Sequence, residues 1–502
     1  MQRRPARAPR PVTAAPLPVC LDVPEGARPL VAYGLEELLR GLGLRPEPAR
    51  RGDARLVVSA GGAAGAGALG LTLTPEAAAA LAAPRPARTE ALGWVEIDAG
   101  GGPERWPLPV GPPGDRPALG RGGGADLVAS AAWWLAGLQE AATAARDVHG
   151  RFPYGASLQA ALGDAPGGPL RPAVDAYRAG LGHALRRLGV SVPGRAWGAG
   201  ATWAVALTHD LDGLRTRRLR ALAGALGRGG AGWLQAGRRA LGPDVRWQSA
   251  LALRRLARRH GARSTWFVKP AAWTAEDLPA DLGAARVRRF LRGLEAEGHT
   301  VGWHPGYGAH DHPARLRAER ARFADALGHA PRLARTHFLR WTDPTTPRLL
   351  ARAGVQIDST LGFSQHEGFR RGTSHPFRVF DVEAGRTTDL WEMPLAVMDT
   401  TLAAHRGLDA EGAAAALGAV LDAARRSGGC AVVLWHNDLG GDPAGGAGWS
   451  ARLSALDHAV GRAEAAGAAV APLDRLLDGW LGRSGQKTSE NADTSAAARR
   501  SL

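Results

Sequence analysis

Trp203-Ala204-Val205-Ala206-Leu207-Thr208-His209-Asp210-Leu211-Asp212-Gly213 starts as an apolar run and ends in two carboxylates. A short, wholly apolar run reads as a strand buried on both faces, the kind that parallel sheets contain. Working outward, the spacing predicts helices over 251–259 and around Val287, Phe290, Leu291 and Leu294, which recur at i, i+3, i+4, i+7. Between and after them it predicts strands over 264–268, 300–303, 333–338, 355–358, 430–435 and 468–472. Strand followed by helix, many times over, implies parallel pairing and a closed or nearly closed α/β barrel over residues 200–482.

Upstream, apolar residues at helical spacing over 30–44, an apolar strand over 55–59, and helices over 126–146 and 172–188 make a smaller α/β domain spanning 26–195. Gly65-Ala66-Gly67-Ala68-Leu69-Gly70 matches a dinucleotide-binding fingerprint, but Leu71-Thr72-Leu73-Thr74 after it alternates like a strand instead of opening a helix. In a chain with 68 glycines such a match arises about once by chance, so it is set aside. Asp147-Val148-His149-Gly150-Arg151-Phe152-Pro153 reads as an interhelical turn in which Asp147 and Arg151 pair. Residues 1–25 form a basic, proline-rich segment, and 483–502 a polar tail without periodicity, expected to be disordered.

The 502 residues include 63 basic and 47 acidic ones, a net charge of +16. All the basic residues except Lys269 and Lys487 are arginine, spread through every segment, which points to compositional bias and not to a nucleic-acid-binding stripe. Cys20 and Cys430 are too few for a disulfide scaffold or a cysteine zinc module. The basic start lacks the apolar run of a secretory signal, and no apolar stretch reaches membrane-spanning length. A soluble protein of a reducing, cytoplasmic compartment is expected; the oligomeric state is not legible.

Chemistry gathers where the predicted strands end. Side-chain alternation puts Asp210 and Asp212 on one side, and two carboxylates so close call for a cation or a proton between them, one as metal ligand and one as base. His304 stands at the tip of the 300–303 strand, whereas His299 faces the other way and reads as structural. Arg335 and His337 share one side of the 333–338 strand, and His436 ends the apolar run 430–435.

These segments, with Gly261-Ala262-Arg263-Ser264-Thr265-Trp266-Phe267 and Gly298-His299-Thr300-Val301-Gly302-Trp303-His304, fall in the order found in the polysaccharide deacetylase (NodB homology) family, which residues 200–480 resemble. The 147–152 region is similar to the extra N-terminal domain of one bacterial branch. The resemblance implies an α/β fold: a distorted (β/α) barrel of the NodB type preceded by a smaller α/β domain. It implies a carbohydrate N-deacetylase that removes the acetyl group from an amino sugar of a glycan or glycan precursor, with one divalent metal, commonly zinc, as cofactor. By position, Asp210 matches the catalytic base, Asp212 the metal-binding aspartate, His304 the first metal histidine, Arg335 the arginine that orients the base, and His436 the general acid. Gly308 stands where the family has its second metal histidine, and His337 where it commonly has proline. A third ligand must then come from elsewhere. His337 is expected ahead of His310 and His312, which lie on the His304 loop, and of Glu392. Without such a ligand the alternative is an inactive, glycan-binding barrel that has lost its metal.

Overall fold

The computed structural model describes residues 14–61, 64–65, 67–98, 102–119, 126–214, 244–437 and 446–483; the expected tail from 484 on lies outside them. β1 (Ala15–Asp22), β2 (Leu44–Pro48), β3 (Leu56–Ser59) and β4 (Leu69–Thr72) pair in parallel in the order β2-β1-β3-β4. The expected 1–25 segment therefore contributes an inner strand of this sheet. Its prolines are admissible because the Ala15 N–H points to β2, donating to Gly43, so that Pro16 and Pro18 turn their missing donors toward β3, whose pairing begins only at Val19. β5 (Gly93–Asp98), β6 (Pro103–Leu108) and β7 (Gly114–Arg116) form a second small sheet.

The helix expected over 126–146 is two helices, Leu127–Leu135 and Leu138–Ala141, separated at Gly137, which has φ +72°. A side chain there would also collide with the Arg371 guanidinium, so the break admits an arginine from the larger unit.

β8 (Ala204–Leu211), buried at every position, begins the larger sheet. β9 (Thr265–Val268), β10 (Thr300–Trp303), β11 (Leu333–Ala334) and β12 (Ile357–Asp358) follow it in parallel, with helices Val245–Arg259, Ala285–Ala296, Pro313–Leu327 and Thr345–Arg352 between them. Then β13 (Phe377–Asp381) pairs antiparallel with β14 (Arg386–Glu392), and β15 (Leu395–Met398) continues beyond Met393 and Pro394. β14 pairs with β12, β15 pairs with β16 (Cys430–Leu434), and β16 pairs with β8, so the broken strand carries the sheet round on itself. β17 (Ala469–Val470) lies beside the start of β8. The result is a distorted (β/α) barrel preceded by a smaller α/β unit.

The strand expected over 333–338 stops at Ala334. The chain passes instead into a tight turn, His337–Leu339, with Phe338 and Leu339 at φ +60° and +55°. One apolar core runs through both units, from Leu17, Leu38, Trp134 and Tyr177 to Val205, Trp266 and Val460. Polar ties cross the same boundary. Glu140 accepts two bonds from Arg370 (2.9 and 2.5 Å), and Asp175 accepts from the Thr373 and Ser374 hydroxyls (2.6 Å each) and from the Ser374 N–H (2.9 Å). Among the described residues no helix is long and apolar enough to cross a membrane.

Candidate active site

The C-terminal ends of β8, β9, β10 and β16 and the turn after β11 surround a cavity of about 350 Å³. Asp210 lies at its floor, 2% exposed. Its Oδ1 accepts from Arg335 Nη1 at 3.1 Å, and Arg335 is itself fixed by Thr208 Oγ1 (2.7 Å), the Ser359 carbonyl (2.7 Å) and Ser359 Oγ (2.8 Å). The guanidinium also lies over the Phe267 ring at 4.6 Å. An arginine so fully engaged presents Nη1 to Asp210 Oδ1 from a fixed direction.

Asp212 follows the last residue of β8, its N–H donating to Asn437 Oδ1 at 3.2 Å. Its Oδ1 lies 3.5 Å from His304 Nε2 and 3.4 Å from His337 Nε2. Each histidine is oriented from behind: His304 Nδ1 donates to the Arg335 carbonyl at 2.5 Å, and His337 Nδ1 to Asp277 Oδ1 at 2.9 Å. With the protons placed there, both Nε2 atoms present lone pairs to Asp212, the disposition of metal-binding imidazoles backed by a carbonyl or carboxylate. His304 Nε2 is buried and has no hydrogen-bond partner. Burial holds His337 down to about 4, against the raising pull of Asp212, so it is neutral at ordinary pH. One donor atom from each of Asp212, His304 and His337 lies within 4.8 Å of the others. An ion ~2.0–2.2 Å from each of three ligands needs such spacing, so this donor set fits zinc or a similar divalent cation.

On the other side His436 Nε2 is 3.9 Å from Asp212 Oδ2. Its Nδ1 meets Asp399 Oδ1 at 2.6 Å, and its N–H donates to Asp399 Oδ2 at 3.0 Å. Burial would lower this imidazole, but Asp399, then Asp212 and Asp210, raise it to about 10, so it carries a proton at neutral pH.

The other expected ligands lie elsewhere. His310 is buried near Thr342 and Asp311, and His312 caps the helix Pro313–Leu327. Glu392 is buried against Asp358 and accepts from the Leu361 N–H. Gly308 offers no ligand, and its carbonyl accepts from Arg315 Nη1, the movable end of a half-buried side chain that a Cβ at this position would displace. His299 accepts from the Ser264 N–H at 3.0 Å, a structural bond.

Sequence reasoning gave no role to Lys269, Asp277 or Asp399. Lys269, immediately after β9, is fully buried with Nζ 2.7 Å from Asp212 Oδ1. Asp277 and Asp399 are single carboxylates far along the chain from the histidines they hold, and no local motif marks them. The 147–153 turn contains the Asp147–Arg151 pair (2.7 Å), and it also reaches the cavity. His149 packs against Phe338 (4.6 Å) and meets the Tyr307 hydroxyl (3.2 Å), Arg151 Nη1 donates to the Phe338 carbonyl (3.2 Å), and Arg340 Nε donates to the His149 carbonyl (3.0 Å).

No family model and no curated protein matches the sequence. Among solved structures, a Mycobacterium smegmatis protein described as a polysaccharide deacetylase is 20% identical, covering 59% of this chain and 93% of its own, with a TM-score of 0.41. A family 4 carbohydrate esterase from Streptomyces lividans in complex with acetate is 16% identical, covering 54% and 99%, with a TM-score of 0.28. A family 4 pseudoenzyme from Bacillus anthracis is 13% identical, covering 55% and 66%, with a TM-score of 0.30. These three solved structures are a polysaccharide deacetylase, a carbohydrate esterase and a pseudoenzyme of the same family 4, and at these identities the likeness is one of fold.

Proposed function

We propose that the barrel is a metal-dependent carbohydrate N-deacetylase, which hydrolyses the acetamide of an amino sugar in a glycan or glycan precursor. The observation that carries this reading is the convergence on one cavity of three groups: the arginine-held carboxylate Asp210, the Asp212, His304 and His337 donors, and the protonated His436. A divalent ion held by those donors would polarise the amide carbonyl and make a bound water more acidic. Asp210 accepts the proton of the attacking water as its oxygen bonds to the carbonyl carbon. Arg335 keeps Asp210 turned toward that water. His436 donates its Nε2 proton to the amide nitrogen as the carbon–nitrogen bond breaks, so an amine leaves in place of a far more basic amide anion. Asp399 holds the His436 ring and its charge through Nδ1.

Gly308, standing where the resemblance implies a metal histidine, supports a second reading, a barrel that binds glycans without cleaving them. Acetate release from N-acetylated amino sugars and their oligomers, measured beside zinc content, separates the two. The enzyme reading expects turnover that falls by about 10²-fold or more in Asp210→Asn while zinc stays bound, whereas Asp212→Asn loses zinc. Absence of turnover by zinc-loaded protein across the panel would favour the binding module.

A further inference from the structure

In a chain whose basic residues are otherwise arginine, Lys269 is the only lysine among the described residues, and it lies beside Asp212 with no exposed surface. Its ammonium is 2.7 Å from Asp212 Oδ1, the oxygen that both His304 Nε2 and His337 Nε2 approach, and 3.9 Å from Asp277 Oδ1. A planar guanidinium suits a fork of acceptors, whereas an ammonium is a compact point charge that fits between the single oxygens that Asp212 and Asp277 turn toward it.

We propose that Lys269 is a tethered counter-cation of the metal centre. Its ammonium pairs with Asp212 Oδ1 where a divalent ion would, and an ion is taken up only as that hydrogen bond gives way to a metal–oxygen bond. Two positive charges then share the site, so this chain binds zinc more weakly than the same three ligands would without the lysine. In the metal-free protein Lys269 neutralises Asp212 and keeps the ligands assembled. The inference rests on reading Asp212, His304 and His337 as ligands, but not on deacetylation.

Zinc affinity of the full chain, measured by competition with a chromophoric chelator at fixed pH, tests it without any substrate. Lys269→Met and Lys269→Gln are each expected to bind zinc about tenfold tighter or more, since a unit charge a few ångströms from the ion is worth at least that factor. Circular dichroism checks the fold. A variant that unfolds without metal and recovers on adding zinc, which the parent does not need, also supports the proposal. Variants that bind zinc no more tightly than the parent, or that unfold and are not rescued, overturn it. Failure of every form to bind zinc would remove the metal reading itself, whereas equal binding in all forms removes the counter-cation alone.

Discussion

At the scale of single residues, the pairing of His436 with Asp399 sets a pH range. Because the folded imidazole is raised to about 10 from an ordinary value near 6.5, the acid form persists through neutral pH and is lost only as the pH rises through about 10. In Asp399→Asn the alkaline limb of the kcat profile should move down toward neutrality, and zinc content should not change. A limb left in place would mean that another group supplies the proton. Strand-tip position made Asp210, Asp212, His304 and His436 legible in the sequence, because alternation and an apolar run fix which residue ends a strand. His337 reaches the cluster by a different route from the one its spacing suggested. It is carried by a turn with two left-handed residues, and a strand pattern holds no information about such a turn. Lys269 was hidden for the opposite reason: it ends an ordinary apolar strand, and its significance lies in a contact 57 positions away.

Among elements, the helix Ala173–Arg187 bears most on how the two units are joined. Asp175, in its first turn, binds Thr373, Ser374 and His375 of the barrel. Burial alone would raise this carboxyl, but His375, Arg178 and the Ser374 hydroxyl hold it well below the carboxylate range. A depressed carboxyl contributes stability that is complete above its unfolded value, near 3.9, and is lost as the pH falls through the lower folded value. Asp175→Asn should therefore cost about 3–5 kcal/mol at neutral pH, the range for breaking a buried ionic network, and the deficit should shrink below about pH 4. Chemical denaturation of both proteins at neutral and acidic pH checks this. The long helices and apolar strands could be read from periodicity. The broken strand β14–β15 and its hairpin partner β13 could not, since their polar and apolar residues follow no single period and the closure they provide depends on partners that are distant in sequence.

For the whole molecule, the apolar core shared by both units and the bonds from Glu140, Asp175 and Tyr33 across the boundary couple the unfolding of one to the other, although the barrel has a further core of its own around Phe267, Trp391 and Val432. A single cooperative thermal transition is expected, with calorimetric and van't Hoff enthalpies in agreement. Two resolved transitions would show that the units are thermodynamically separate.

The turn at 147–152 gives the cavity a divided inheritance. The groups proposed to react all belong to the barrel, whereas His149 and Arg151 on the rim belong to a stretch that precedes it and are fastened to Phe338, Tyr307 and Arg340. Because Phe338 follows His337 in one turn, a change at His149 or Arg151 reshapes what enters and also bears on the position of His337. Part of the access to the cavity is therefore encoded upstream of the groups proposed to react, and the two stretches evolve together through the turn at which they meet.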